Sequence, residues 1–261
     1  MQQVVRRSAS IRPKVRGVPQ CGRTGWVCRD GPALPTHAQI QPTDKVSELE
    51  EFATALVTIK STQERERLLS QKKDLMTPDL RKALIQKGNI HLANGQYSTA
   101  FDIYGLAKNI ARQIGDTEGI ATASLDIGTV YYFQANYPAA LQHYREAREL
   151  FTEITNNYES AKALSGVGLI YREQRRDADA LQTFQQALTE FTALNDRVEM
   201  ANTLNSIGVI YYGQGDYAAA AEAFRRSEDA LKSTEHMKAT QILIRNKEKI
   251  VQTSQATALL T

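Results

Sequence analysis

Four histidines and two cysteines are the side chains in this sequence best suited to ligate a metal or move a proton. Cys21 and Cys28 are separated by six residues, with His37 nearby. Structural zinc sites favour two to four residues between paired ligands and need four ligands in all. Three candidates at this spacing do not make such a site, and two cysteines in a long chain do not make a disulfide scaffold. His91, His143 and His236 are too scattered for a triad or a metal centre, which need convergent groups. Asp177 and Asp179 form a carboxylate pair, but they fall at a polar break between apolar stripes, where solvation is the simpler role. Gly213-Gln214-Gly215 reads as a turn and not as a phosphate loop or dinucleotide fingerprint. The expectation is a chain with no catalytic residues, no metal and no cofactor, hence not an enzyme.

The residues that do recur in register belong to a scaffold. Glycine stands at Gly88, Gly128, Gly168 and Gly208, each 40 residues from the last. Three positions on come His91, Tyr131, Tyr171 and Tyr211. Twelve past each glycine come Ala100, Ala140, Ala180 and Ala220, and four later Tyr104, Tyr144, Phe184 and Phe224. Self-similarity at a fixed period means stacked supersecondary units. Within a unit, apolar residues follow helical spacing: Leu164, Val167, Ile170 and Tyr171 predict a helix over 158–174. After the break Arg175-Arg176-Asp177, a second stripe runs from Ala180 to Phe191. Each unit is therefore two antiparallel helices that bury their stripes by stacking on the next pair. Glycine inside a helix costs about 1 kcal/mol relative to alanine. Its recurrence predicts close approach of the paired helix, with the alanine column as the facing surface. His91, in the aromatic column, is expected to pack as core.

This grammar resembles the tetratricopeptide repeat family. The shared features are a small residue, an aromatic three later, then Ala-x3-aromatic-x2-Ala in the second helix. The turns Gly95-Gln96-Tyr97, Asn136-Tyr137 and Gly215-Asp216-Tyr217 also fit, whereas the third unit has Asp177 in place of tyrosine. The family's tryptophan column is here Leu84, Ser124, Leu164 and Leu204, and its closing proline is missing. The 40-residue period is similar to the longer repeats of kinesin light chain and many bacterial members. The resemblance implies an all-α fold, a right-handed superhelical solenoid of helix hairpins, with repeats at 81–120, 121–160, 161–200 and 201–240 inside a segment 77–240. It also implies a non-catalytic scaffold that binds a protein or peptide in a concave groove lined by the first helices. By register that groove holds Asn89; then Asp126, Tyr132 and Phe133; then Lys162 and Arg172; then Asn202, Asn205 and Tyr212. The three aromatics here either face a ligand or tuck against the next repeat. Chaperone-tail-binding members clamp a carboxylate at positions that map to Ile85, Asn89, Asp126, Lys162 and Gly166. Only Asn89 and Lys162 match, and Asp126 would repel a carboxylate, so no chaperone carboxylate clamp is expected.

Outside the repeats the composition splits. The chain is 42% hydrophobic with net charge +3, and no apolar run long enough to span a membrane is present. Residues 1–29 hold seven basic residues and no acid. Residues 1–42 are expected to form a disordered basic arm. Organelle transit, nucleic-acid contact through Arg6, Arg7, Arg12, Lys14 and Arg16, and a merely solvated arm all remain open, the last being the simplest. No secretory leader is evident, and a cytoplasmic location is expected. Residues 43–76 are expected to form an N-terminal capping helix pair, with Val46, Leu49, Phe52, Ala53, Leu56 and Val57 on one face. Ser61-Thr62-Gln63-Glu64 is a capping-box pattern opening the second helix. Residues 236–252 are expected to form a C-terminal capping helix, followed by a tail at 253–261. A second reading of function makes the repeats a sensory or docking arm of a larger bacterial signalling or enzyme assembly.

Overall fold

The computed structural model describes residues 42–232. The expectations for the basic arm, Cys21, Cys28, His37, His236, the C-terminal helix and the tail lie outside those residues. Among the described residues there are ten α-helices, no strand, and one 3-10 turn at Lys73–Leu75. An N-terminal pair, α1 (Pro42–Thr58) and α2 (Thr62–Gln71), precedes four hairpins. These are α3 (Pro78–Ala93) with α4 (Tyr97–Ile114), and α5 (Thr117–Phe133) with α6 (Tyr137–Glu153). Then come α7 (Asn157–Glu173) with α8 (Asp177–Ala193), and α9 (Arg197–Gly213) with α10 (Tyr217–Leu231). None of these helices is long and apolar enough to cross a membrane.

Local chemistry explains the period. Five consecutive helices, α5 to α9, are 17 residues long, and three-residue turns follow them. Two such halves make 40 residues. Every turn from α3 onward has one residue in the left-handed region: Gly95, Gly115, Ala135, Thr155, Arg175, Asn195 and Gly215. The next backbone N–H then donates to a carbonyl five residues back, as in Asn136 to Tyr131 at 2.9 Å and Asn156 to Phe151 at 2.8 Å. This is the Schellman arrangement, and it satisfies carbonyls that a helix end leaves open. Asp116, Asn136, Asn156, Asp196 and Asp216 then cap the following helix by accepting the N–H three residues on.

Packing repeats in the same way. Each first helix packs on its own second helix, and each second helix packs on the next first helix. The first helices α3, α5, α7 and α9 also meet one another directly. Neighbours on the inside of a curved stack lie closer than those outside, so the first helices are the concave wall of a right-handed α-solenoid. Helix α1 lies against α3, burying Phe52, Ala53 and Leu56. Val46, expected on that buried face, is instead 66% exposed, because the buried part of α1 lies further along the helix, at Phe52, Ala53 and Leu56.

The glycine column has a different cause from the one expected. A Cβ on Gly88 would stand 2.4 Å from the Tyr104 ring, and one on Gly208 would stand 2.6 Å from the Phe224 ring. Gly128 and Gly168 meet Tyr144 and Phe184 at 2.8 Å. The facing surface is thus the aromatic column and not Ala100, Ala140, Ala180 and Ala220. Those alanines are fully buried, but the flat ring four residues later fills the space a first-helix side chain would need. His91 is also not core: it is partly exposed, and its polar ring hydrogen-bonds Gln96 across the turn.

Candidate functional site

The same aromatic rings build the floor of the concave wall. In the first hairpin the Tyr104 hydroxyl passes beneath Gly88 and donates to Asn89 Oδ1 at 2.6 Å. In the second the Tyr144 hydroxyl donates to Thr129 Oγ1 at 3.2 Å. A buried phenol needs a partner, and the first helix supplies one in each case. In the third and fourth hairpins the ring is Phe184 or Phe224, and the matching first-helix residue is Leu169 or Val209. Val209 is 37% exposed. The wall is therefore polar-floored at one end and apolar-floored at the other. Burial raises both tyrosines' pKa, Tyr144 to about 12, with Asp126 adding to the effect in each.

Asp126 lies between these floors. Its counterparts in the other repeats are Gln86, Gly166 and Ser206. Its Oδ2 is buried without a hydrogen-bond partner. Burial pushes its pKa up to about 7, against the opposing pull of Lys162 and with further help from Glu159. Lys162, on the next first helix, pairs with Glu159 at 3.0 Å and lies 5.2 Å from the Tyr158 ring centroid. Glu199 of α9 also acts on Lys162, and Asn202 donates to that carboxylate at 3.3 Å. Asn89, Asp126 and Lys162 thus come from three successive first helices onto one surface. Ile85 and Gly166 do not join them: Ile85 is buried, and Gly166 lies against the Tyr144 ring.

A second group gathers at the turn end of the wall. The Tyr132 hydroxyl donates to Glu173 at 3.3 Å, and Arg172 pairs with the same carboxylate at 2.8 Å. Arg172 also lines a cavity of about 210 Å³ between the third and fourth hairpins, with Arg175, Asp177 and Val209. Tyr132 packs on Tyr137 and Tyr212 on Tyr217, with ring centroids 6.3 and 5.6 Å apart. Phe133 is 53% exposed and stacks on Tyr97 of the preceding hairpin. These aromatics tuck against neighbouring residues while keeping an edge on the wall. Asn205 is partly buried on α9.

Glu159 and Glu199, together with the hydroxyls of Tyr104 and Tyr144, belong to this surface and were not singled out by register. The signal was there for the hydroxyls: tyrosine changes to phenylalanine between the second and third repeats, and the partner column changes from polar to apolar at the same point. On the opposite side, Lys108–Glu146 at 2.8 Å and Arg148–Glu190 at 2.9 Å tie consecutive second helices together. His143 stands beside the first of these pairs, stacked on Tyr131, its pKa lowered by burial and by Lys108. Among the described residues no group of three or more His, Cys, Asp or Glu is placed to hold a metal ion.

A solenoid of helical hairpins with a continuous inner wall defines the class. The sequence matches the tetratricopeptide repeat family over residues 79–153 and 159–233, more than half of its length, and the chain belongs to that family. Members are, in general, non-catalytic scaffolds for protein interaction. The fold is similar to that of BtubC (BKLC) from P. vanneervenii, at 16% identity over 80% of this chain and 84% of that one, TM-score 0.62. It is also similar to a Rap protein complexed with Competence and Sporulation Factor, at 14% identity over 87% of this chain, TM-score 0.62. The apo form of RapI matches at 13% identity over 85% of this chain, TM-score 0.60. The match spans 64% of each Rap chain. At these identities the likeness is one of fold. Among curated proteins no match was found.

Proposed function

We propose that this chain works by binding and not by catalysis, holding a peptide or protein segment along the concave wall formed by α3, α5, α7 and α9. The observation that carries this reading is Asp126. Packing alone asks for a small or neutral residue at its position, as at Gly166 and Ser206. A buried carboxylate with a free oxygen costs folding energy unless something else uses it. The occupant crosses Tyr132, Arg172, Asn205 and Tyr212, where aromatic edges, a guanidinium and an amide supply the mix that interfaces favour. A Rap protein bound to Competence and Sporulation Factor provides a parallel on a similar fold. A chaperone-type carboxylate clamp does not suit this wall, because Asp126 and buried Ile85 stand where such a clamp needs donors.

The test is a peptide array probed with the wild type and with Arg172→Glu plus Tyr212→Ala. Binding should fall at least ten-fold in the double variant while its thermal melt stays cooperative. A double variant that retains full binding, or that loses binding only because it unfolds, overturns the assignment of these residues. A bound peptide ending in two acidic residues and lost on Lys162→Ala would restore the clamp.

A further inference from the structure

Charge is unevenly shared on the wall around Asp126. The groups electrostatically coupled to its carboxylate are Tyr104 from α4, Tyr144 from α6, and Lys162 and Glu159 from α7. From α3, Asn89 accepts the Tyr104 hydroxyl's hydrogen bond and has no charge to offer. Lys162 is the one cation in the set, and both oxygens of Glu159 already hold it, at 3.0 and 3.2 Å. Glu199 acts on the same ammonium from α9. Three carboxylates therefore act on one ammonium, and Asp126 Oδ2 is buried without a donor. Beyond this point the floor turns apolar, over Leu169 and Val209.

We propose that the wall receives a peptide segment that seats an arginine side chain against Asp126 and runs apolar residues over Leu169 and Val209. The proposal rests on the groove reading above and adds the chemistry of the occupant. A guanidinium suits the site because it carries five N–H donors in a planar fork that pairs with a carboxylate through two parallel bonds. Asp126 is only partly buried as a residue, so a turn of its carboxylate brings the Oδ2 that is sealed in the empty wall to this donor, and the guanidinium offsets the local negative charge. The pairing is also gated by pH. The empty site holds a proton on Asp126 up to about pH 7, because burial disfavours its charge. A cation binds the ionised form, so seating it releases that proton. Affinity should rise about ten-fold from pH 6 to pH 8 and level off above.

The experiment uses the full chain and mixtures of acetylated, amidated ten-residue peptides with arginine, norleucine or glutamate fixed at the centre. Fluorescence anisotropy at pH 6 and 8 reads the affinity. The arginine mixture should bind at least ten-fold tighter than the glutamate mixture at pH 8, and this advantage should shrink about ten-fold at pH 6. Asp126→Asn should remove both the preference and its pH dependence, bringing the arginine mixture down to the level of the norleucine mixture at both pH values. Peptides that bind with no arginine preference, or a preference that survives Asp126→Asn, overturn the proposal and leave the groove reading standing. Arginine binding that emerges only after Arg6, Arg7, Arg12 and Arg16 are changed to alanine identifies the chain's own arm as occupant and overturns a partner in trans. If no mixture binds either protein, the groove reading itself falls.

Discussion

The first two hairpins and the last two share a backbone plan and differ in the ring beneath each glycine and in the residue that answers it. Where the second helix carries Tyr104 or Tyr144, the first helix answers with Asn89 or Thr129. Where it carries Phe184 or Phe224, the answer is Leu169 or Val209. The ring serves the same structural purpose in all four, lying under a glycine. The hydroxyl then decides what the wall displays, because a phenol inserted there must find an acceptor and a phenyl ring must not meet one. The difference teaches that packing and recognition are separable in this fold: the ring holds the hairpin closed, and its para substituent sets the local chemistry of the groove.

That separation breaks if the two halves respond differently to loss of the packing element. Gly128→Val and Gly208→Val should each destabilise the protein by about 3 kcal/mol, since a branched side chain must displace the ring in either half. Urea denaturation of both variants checks this, and a large gap between them would mean the rings are not equivalent. The hydroxyl half of the argument is sharpened by Phe184→Tyr, which puts a phenol beneath Leu169 with no acceptor. It should cost about 2 kcal/mol, and adding Leu169→Asn should recover most of the loss in a double-mutant cycle. The reverse change, Tyr104→Phe, should cost only about 1 kcal/mol, because the freed Asn89 turns to solvent.

Asp126 sits at the seam between the halves, and its charge gives a pH signature. Its folded pKa of about 7 lies above the usual carboxylate value, so the folded protein binds more protons than the unfolded chain between these pH values. The favourable contribution of the neutral carboxyl is complete below about pH 4, is lost as pH rises toward 7, and stays lost above. Asp126→Asn should therefore leave stability unchanged at pH 4 and raise it by about 2 kcal/mol at pH 8, a figure reduced for partial solvent access. Melting curves at the two pH values measure this, and equal shifts at both would show that the carboxylate is not penalised. The smallest effect is expected at the turns. Thr155, a β-branched residue with a φ of 57°, occupies a conformation that costs such side chains about 1 kcal/mol. Thr155→Gly should recover slightly less than that, because glycine also gains freedom when unfolded.

Much of the fold was legible in the residues because it rests on local rules. The helix expected over 158–174 is found at Asn157–Glu173. The Ser61 cap accepts the Glu64 N–H as its capping-box pattern requires. The turn residues and caps recur because each helix end must satisfy its own backbone within a few residues. The site was less legible. Register placed Asn89, Asp126 and Lys162 on one wall, but it missed Glu159 and Glu199 and misjudged what faces the glycines. Alanine was the plausible neighbour on size alone; the ring was the real one because the second helix leans its aromatic across the gap.

The amino-acid order alone determined the period, the hairpins and the family grammar, since propensity, capping and amphipathic spacing act over distances shorter than one unit. Only the tertiary structure decided that Asp126 is buried with an oxygen unserved and that Lys162 is already held by Glu159. Solvation and partnership of a charge are set by groups from α4, α6 and α7, which the chain brings together only by stacking. A linear spacing rule carries no information about the dielectric on the far side of a groove.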